Sequence, residues 1–137
     1  MSKVTPFSAC PMQSIGVGSI GAFPDSSFSA STSRAGNDAF KGRLYYAGAW
    51  SPSRNDNPED YLQIDLLDEF VICAVATRGR NNVPHIHWTT KYMLQLSYSG
   101  SNWVTYQENN ADKVGLRNSE MSANVSASLE SSHIHKS

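Results

Sequence analysis

The chain has 137 residues, the size of one ordinary domain, and a net charge of −1, which excludes a broad basic face for nucleic acid. Apolar residues make up 39% of it and charged residues only 17%, a balance that suits a loop-rich β domain better than a helical bundle. No stretch approaches the ~18 apolar residues of a membrane span. The first residues contain no apolar core of the length that a signal peptide needs, so we expect a chain that is cytosolic or cut out of a longer secreted protein.

The first part of the chain is dominated by turn formers. The stretch SSFSAS (26–31) alternates, with Phe28 and Ala30 on one face, and predicts a short strand. A long irregular segment, residues 33–60, follows it. A loop of this length is usually functional or pinned by its own aromatic residues, here Tyr45, Tyr46 and Trp50.

Strand patterns follow from residue 61 onwards. YLQIDL (61–66) places its leucines and isoleucine on one face, whereas FVICAVAT (70–77) is apolar on both faces, as in a central strand. KYMLQLSYS (91–99) alternates again, and GSN predicts a tight turn to a hairpin partner, WVTYQE (103–108). These patterns predict an all-β sandwich or barrel. Residues 115–137 are Ser-rich and lack strand periodicity, and predict a disordered tail.

Six pieces of the chain, in this order and spacing, resemble the coagulation factor 5/8 type C domain, also called the discoidin domain. They begin with Cys10 and continue with FPDSSFSAS, GRLYYAGAWSPS, DYLQIDL, VATRGR and TTKYMLQLSYSGSNWVTYQEN. The resemblance runs over residues 10–114, after an N-terminal extension at 1–9. It implies a discoidin-like (galactose-binding-like) jelly-roll β-sandwich of about eight strands, with ligand-binding spike loops at one end.

The resemblance also implies a function without catalysis. A discoidin-like domain is expected to be an extracellular or cell-surface adhesion module, part of a longer parent protein, that binds glycan, anionic phospholipid or a protein and needs no cofactor. The family's last strands and closing cysteine, the implied partner of Cys10, are missing after Val114. The chain is therefore expected to be an incomplete copy, and a non-functional truncated fragment or isoform is the alternative function.

Asp65 is the first candidate for chemistry. As a catalytic acid it needs a second carboxylate and a pocket, and the neighbouring Asp60, Asp68 and Glu69 are not obviously focused on it. We expect a structural carboxylate satisfied by backbone N–H groups or an arginine. A metal-dependent hydrolase using Asp65, His85 and His87 is the less favoured alternative.

Arg78 and Arg80 flank Gly79 at the end of the apolar strand. Paired arginines can hold a carboxylate or phosphate through their N–H forks. The alternatives are a solvated strand end or an arginine that binds Asp65. Arg80, which leads into the next loop, is the preferred ligand contact.

The loop NNVPHIHW (81–88) carries Ile86 and Trp88, an apolar tip suited to lipid headgroups or to stacking on sugar. A loop that packs its tryptophan back on the domain is equally open. His85 and His87 are counted with this binding loop. They can begin a zinc site, but that needs further ligands, so pH-sensitive loop histidines are favoured.

By resemblance, residues 33–43 form the first spike. Phe40 and Arg43 are its expected apolar and charged contacts, and Asn37 and Asp38 complete the set. Oxygen atoms of Asn37 and Asp38 can also bind Ca²⁺, although turn formation is the commoner role of Asn-Asp. Cys73 predicts a buried thiol not bonded to Cys10, and Asn124 lies in a glycosylation sequon that matters only if the chain is secreted.

Overall fold

The computed structural model describes residues 16–18, 21–68, 70, 72–75, 77–82, 84–87, 89, 91–108, 110–112, 114–116, 126–127 and 131–136. In these ranges the chain forms strands and two short 3-10 helices, η1 (Asp25–Ser27) and η2 (Ala39–Gly42), and no α-helix. The strands are β1 (Phe28–Ala30), β2 (Tyr61–Asp65), β3 (Ile72–Ala74), β4 (Arg80–Asn82), β5 (His85–His87), β6 (Lys91–Leu96), β7 (Val104–Thr105), β8 (Gln107–Glu108), β9 (Ala111–Asp112), β10 (Val114–Leu116), β11 (Ser126–Ala127) and β12 (Ser131–Lys136). Nothing helical in the described part is long and apolar enough to cross a membrane.

The largest sheet has the order β1-β2-β12-β6-β10, and β7 also pairs with β6. All of its pairings are antiparallel. His135 of β12 is opposite Tyr61 of β2 on one side and Met93 of β6 on the other. The strands β2 and β6 therefore run in the same direction and begin at the same end of the sheet.

Two connections meet at that end. Residues 31–60 leave β1 and return to the start of β2, because Ala30 pairs with Leu62. The antiparallel pair β4–β5, with Arg80 opposite His87, leads through residues 88–90 into the start of β6. We call this the loop end of the sheet. The pairs β3–β11 and β8–β9 form two further small sheets.

The core lies on one face of β2, as its alternation predicts. Leu62 and Ile64 are buried and Asp65 is exposed. Ile64 belongs to a buried cluster whose members are Phe23, Phe28, Ile64 and Leu66, with Val17, Ala39, Phe40 and Phe70 packed against it. Each fully buried side chain of this size contributes about 1.5–3 kcal/mol, so this cluster anchors the sheet.

Several strands are shorter than their sequence patterns predict. The segment 26–31 begins as η1 and is a strand only from Phe28. The segment 103–108 is divided at Tyr106, which donates its backbone N–H to the Leu94 carbonyl before the chain turns away to pair with β9. Alternation of side chains indicates which face of a strand is buried, but it does not indicate where the backbone pairing with a neighbouring strand ends. For this reason the predicted strands 26–31 and 103–108 are both longer than the observed ones.

The predicted disordered tail is corrected for residues 131–136. These residues form β12, which pairs with both β2 and β6. The segment SSHIHK contains one large apolar residue, so no local pattern marks it as a strand. Its partners are distant in sequence and supply the backbone hydrogen bonds that the pattern does not show. The boundary predicted at Val114 stays a prediction.

Candidate functional site

Asp60 closes the base of the 31–60 loop. Its side chain is only 1% exposed, and its Oδ1 accepts hydrogen bonds from Ser31 Oγ (2.6 Å) and Thr32 Oγ1 (2.8 Å). The same two hydroxyls accept the backbone N–H groups of Tyr61 and Ser53, at 3.0 and 3.1 Å. One buried carboxylate therefore joins the beginning, the middle and the end of the loop.

Trp50 folds the loop back on itself. Its Nε1 donates to the Thr32 carbonyl at 3.0 Å, and the Arg34 N–H donates to the Ser51 carbonyl at 2.8 Å. A half-buried indole with its N–H satisfied is what a packed loop requires. The sequence interpretation that aromatic residues pin this loop therefore holds for Trp50.

Arg43, an expected ligand contact, lies in the interior. The residue is 4% exposed; its Nη2 donates to the Phe23 carbonyl (2.7 Å) and to Asp25 Oδ1 (2.8 Å). The guanidinium lies 4.3 Å from the centre of the Phe28 ring, a cation–π contact. The ion pair with Asp25 holds η1 against the loop. Because the guanidinium is buried, it is not accessible to a ligand.

Phe40 is also directed inward. It is half-buried against the core cluster, and its ring meets the Tyr46 ring edge-on at 5.8 Å and 87°. The neighbouring Lys41 donates to the Gly36 carbonyl at 2.8 Å and lies 3.4 Å from Asp38 Oδ2. Asn37 joins this network through its backbone, which bonds to Arg34 and Ser51. The first spike is thus a self-bonded unit, with Phe40 as part of its packing.

The second predicted loop is a short hairpin. Arg80, Asn81 and Asn82 of β4 pair with His87, Ile86 and His85 of β5. His87 is exposed at the end of β5. Trp88 lies outside the described residues, as do Cys10 and Asn124, so their predicted roles stay predictions. Cys73 is in β3, as its apolar surroundings predict.

A pocket of about 150 Å³ lies between these two regions at the loop end. One wall comes from the first spike and the residues after it, and the other from the segment that precedes and enters β4. The described lining residues are Lys41, Gly42, Arg43, Leu44, Tyr46, Ala47, Gly48, Ala49, Trp50, Leu62, Thr77, Arg78, Gly79, Arg80 and Thr89. Of the described residues of the two predicted loops, Lys41, Gly42 and Arg43 of the first and Arg80 of the second line this pocket.

The chemistry of the pocket is aromatic, hydroxylic and cationic. Its lining includes the aromatic residues Tyr46 and Trp50 and the hydroxyl-bearing residues Thr77 and Thr89. None of its described lining residues is an aspartate or a glutamate. Such a surface suits a polar ligand that offers hydroxyls, a flat apolar face or negative charge.

Arg78 ties the two walls together. Its side chain is exposed, and its Nη1 donates to the Leu44 carbonyl across the pocket at 3.2 Å. The sequence interpretation prefers Arg80 because it leads into the next loop, and nothing in the local pattern shows that residue 78 contacts residue 44. Arg80 is half-buried and lines the same pocket.

Tyr45 is the exposed aromatic residue next to the pocket. Its side chain is 68% exposed, although its backbone N–H donates to the Gly18 carbonyl at 3.0 Å. Its sequence neighbours Leu44 and Tyr46 both line the pocket. The sequence predicts that both tyrosines hold the loop in place. Among the described residues, Tyr46 is the one of the two with a ring–ring contact, to Phe40.

Metal binding has no cluster to support it in the described part of the chain. There, no group of three or more His, Cys, Asp or Glu side chains is arranged to hold an ion. Asp38, one of the two oxygen donors considered for Ca²⁺, lies beside Lys41.

A comparison with known protein families identifies the family to which this architecture belongs. The sequence model of the F5/8 type C domain family matches residues 25–134. The matched range begins at η1, includes both walls of the pocket and ends within β12. It covers well over half of the chain and is consistent with the all-β sandwich predicted from the strand patterns. The chain therefore belongs to the F5/8 type C domain family, whose fold is the discoidin-like β-sandwich.

Proposed function

We propose that this binding module is an extracellular, glycan-recognising adhesion domain whose ligand occupies the pocket at the loop end. The observation that carries the proposal is the pocket whose lining combines Tyr46 and Trp50 with Thr77, Arg78 and Thr89. Sugars offer hydroxyls to such polar groups and C–H faces to aromatic rings. Pockets for drug-sized ligands measure about 300–1,000 Å³, so a pocket of about 150 Å³ suits one sugar residue.

The packing of the first spike favours a glycan over a lipid surface. Loops that enter a membrane interface present apolar side chains to solvent. Phe40 instead packs on the core and on Tyr46. Anionic phospholipid and an extracellular protein remain the alternative ligands that the binding test includes.

The aspartates support binding rather than catalysis as the role of the domain. Asp65 is exposed and its Oδ1 accepts the Leu67 N–H at 2.9 Å, which stabilises the left-handed turn at Leu67 (φ 63°). Asp60 is buried and bonded to two hydroxyls. Both carboxylates therefore have structural roles, and for Asp65 this is the role that the sequence predicts.

The test is a glycan array followed by titration of the strongest glycan. Tyr45→Ala removes an exposed ring beside the pocket without touching the core, and should weaken binding about three- to tenfold, the value of one aromatic contact. Tyr98→Ala is the matched control, because Tyr98 is 79% exposed in the loop after β6, at the other end of the sheet. The Tyr98→Ala variant should bind the glycan with the affinity of the wild type.

Two results would contradict the proposal. One is binding to phosphatidylserine vesicles or to a protein with no binding to any glycan. The other is a loss of glycan affinity that is the same in Tyr45→Ala and Tyr98→Ala, which would place the site away from the loop end.

A further inference from the structure

We infer that the pocket selects anionic saccharides, and that Arg78 contacts the carboxylate or sulfate group of the bound sugar. This inference rests on the proposed glycan-binding function and specifies its ligand class. It starts from the charges around the pocket, where cationic side chains are present and no described lining residue is acidic.

The described cationic residues that line the pocket are Lys41, Arg43, Arg78 and Arg80, and the first three differ in how their charge is used. Lys41 lies beside Asp38, and Arg43 is buried against Asp25. Arg78 is bonded to a neutral partner, the Leu44 carbonyl, which leaves its positive charge uncompensated by that contact. A guanidinium donates several N–H groups in one plane, and a single carbonyl acceptor occupies only part of that set.

The position of Arg78 also favours a ligand contact. The hydrogen bond to Leu44 fixes an otherwise flexible side chain at the junction of the two walls. A fixed fork loses less conformational entropy when it binds, and its planar geometry matches the paired oxygens of a carboxylate or sulfate. Gly79 on one side and Thr77 on the other line the same pocket, so the whole segment faces the ligand.

The experiment compares charged sugars with their neutral counterparts on the full chain. The probes are sialyllactose against lactose, and a keratan sulfate oligosaccharide against its desulfated form. We expect the charged member of at least one pair to bind about tenfold tighter or more, the value of one charge-assisted hydrogen bond. That preference should decrease as salt is raised.

Variants assign the preference to a residue. Arg78→Gln should bring the ratio of charged-sugar to neutral-sugar affinity close to one, whereas Arg78→Lys should retain part of that ratio because the charge remains without the fork. Arg54→Gln is the matched control. Arg54 is an exposed arginine that bonds to Asp56 at 2.8 Å and does not line the pocket, so its loss should not alter the preference.

The outcomes separate this inference from the function on which it rests. Equal binding of charged and neutral sugars overturns the inference and leaves glycan recognition standing. A charge preference that survives in Arg78→Gln, or that falls equally in Arg54→Gln, also overturns it. Binding of no saccharide by the folded chain overturns both.

Discussion

Two aspartates of the same loop, Asp56 and Asp60, show how burial decides how much a carboxylate contributes to the stability of the fold. Arg54 hydrogen-bonds to Asp56 and lowers its pKa below the usual value, but both side chains are exposed. Exposed ion pairs contribute little to stability because water and salt screen them. Asp60 is buried and receives two hydroxyl hydrogen bonds, so its contacts are protected from that screening.

The prediction at the residue scale is that Asp60→Ala destabilises the domain by about 2 kcal/mol or more, the cost of losing charge-assisted buried hydrogen bonds. Urea unfolding of the purified chain measures the change. Asp56→Ala in the same loop should alter the free energy of unfolding by less than about 0.5 kcal/mol. Equal losses in the two variants would show that the hydroxyl contacts of Asp60 are not what holds the loop.

At the scale of elements, the β6–β7 connection shows how a turn sets the end of a hairpin. The Ser97 hydroxyl accepts the N–H groups of Ser99 (3.3 Å) and Gly100 (2.9 Å), and Gly100 has a φ of +73°. A Cβ atom at Gly100 would meet nothing within 4 Å. Any cost of adding a side chain there therefore comes from the backbone conformation.

We predict that Gly100→Ala lowers the free energy of unfolding by about 1 kcal/mol, the cost of the left-handed conformation for an L-residue. Gly100→Asn should cost less, because asparagine tolerates that conformation. Gly48→Ala is the control, since Gly48 has no positive φ and its added Cβ would make ordinary contact with Tyr46 at 3.6 Å. Thermal unfolding that ranks alanine and asparagine equally at residue 100 would count against this account of the turn.

At the scale of the whole molecule, β12 joins the two halves of the main sheet. It is the shared neighbour of β2 and β6, which come from sequence regions about 30 residues apart. Removing it would leave two strands with unpaired edges, and such edges promote aggregation. The C-terminal segment therefore contributes to the fold by backbone pairing.

The corresponding prediction concerns Ile134, which pairs with Leu62 on one side and Leu94 on the other. Ile134→Pro removes a backbone donor from the middle of the sheet and should destabilise the domain by at least about 1–3 kcal/mol, the cost of an unmade buried hydrogen bond. Ile134→Val keeps the donor and the β-branched shape, and should cost less. Near-identical unfolding midpoints for the two variants would argue against a central β12.

Sequence alone determined the fold class, the family and the buried face of the best strand. Alternation of side chains in 61–66 is a local property, and Leu62 and Ile64 are buried as it predicts. The family resemblance also predicted that residues 37–43 and 80–88 lie at one end, and Lys41, Gly42, Arg43 and Arg80 of these segments line one pocket. The site residues predicted from the sequence are charged and aromatic side chains in loops, selected by residue type alone.

Only the tertiary structure decided which of those side chains are exposed and which are buried. Arg43 and Phe40 have the residue types of a binding loop, but contacts with Asp25, Phe28 and the core draw them inward. Arg78 and Tyr45 take the outward positions, and β12 takes the centre of the sheet. These outcomes depend on partners between 15 and 74 residues away, and a local pattern contains no information on contacts formed over such distances.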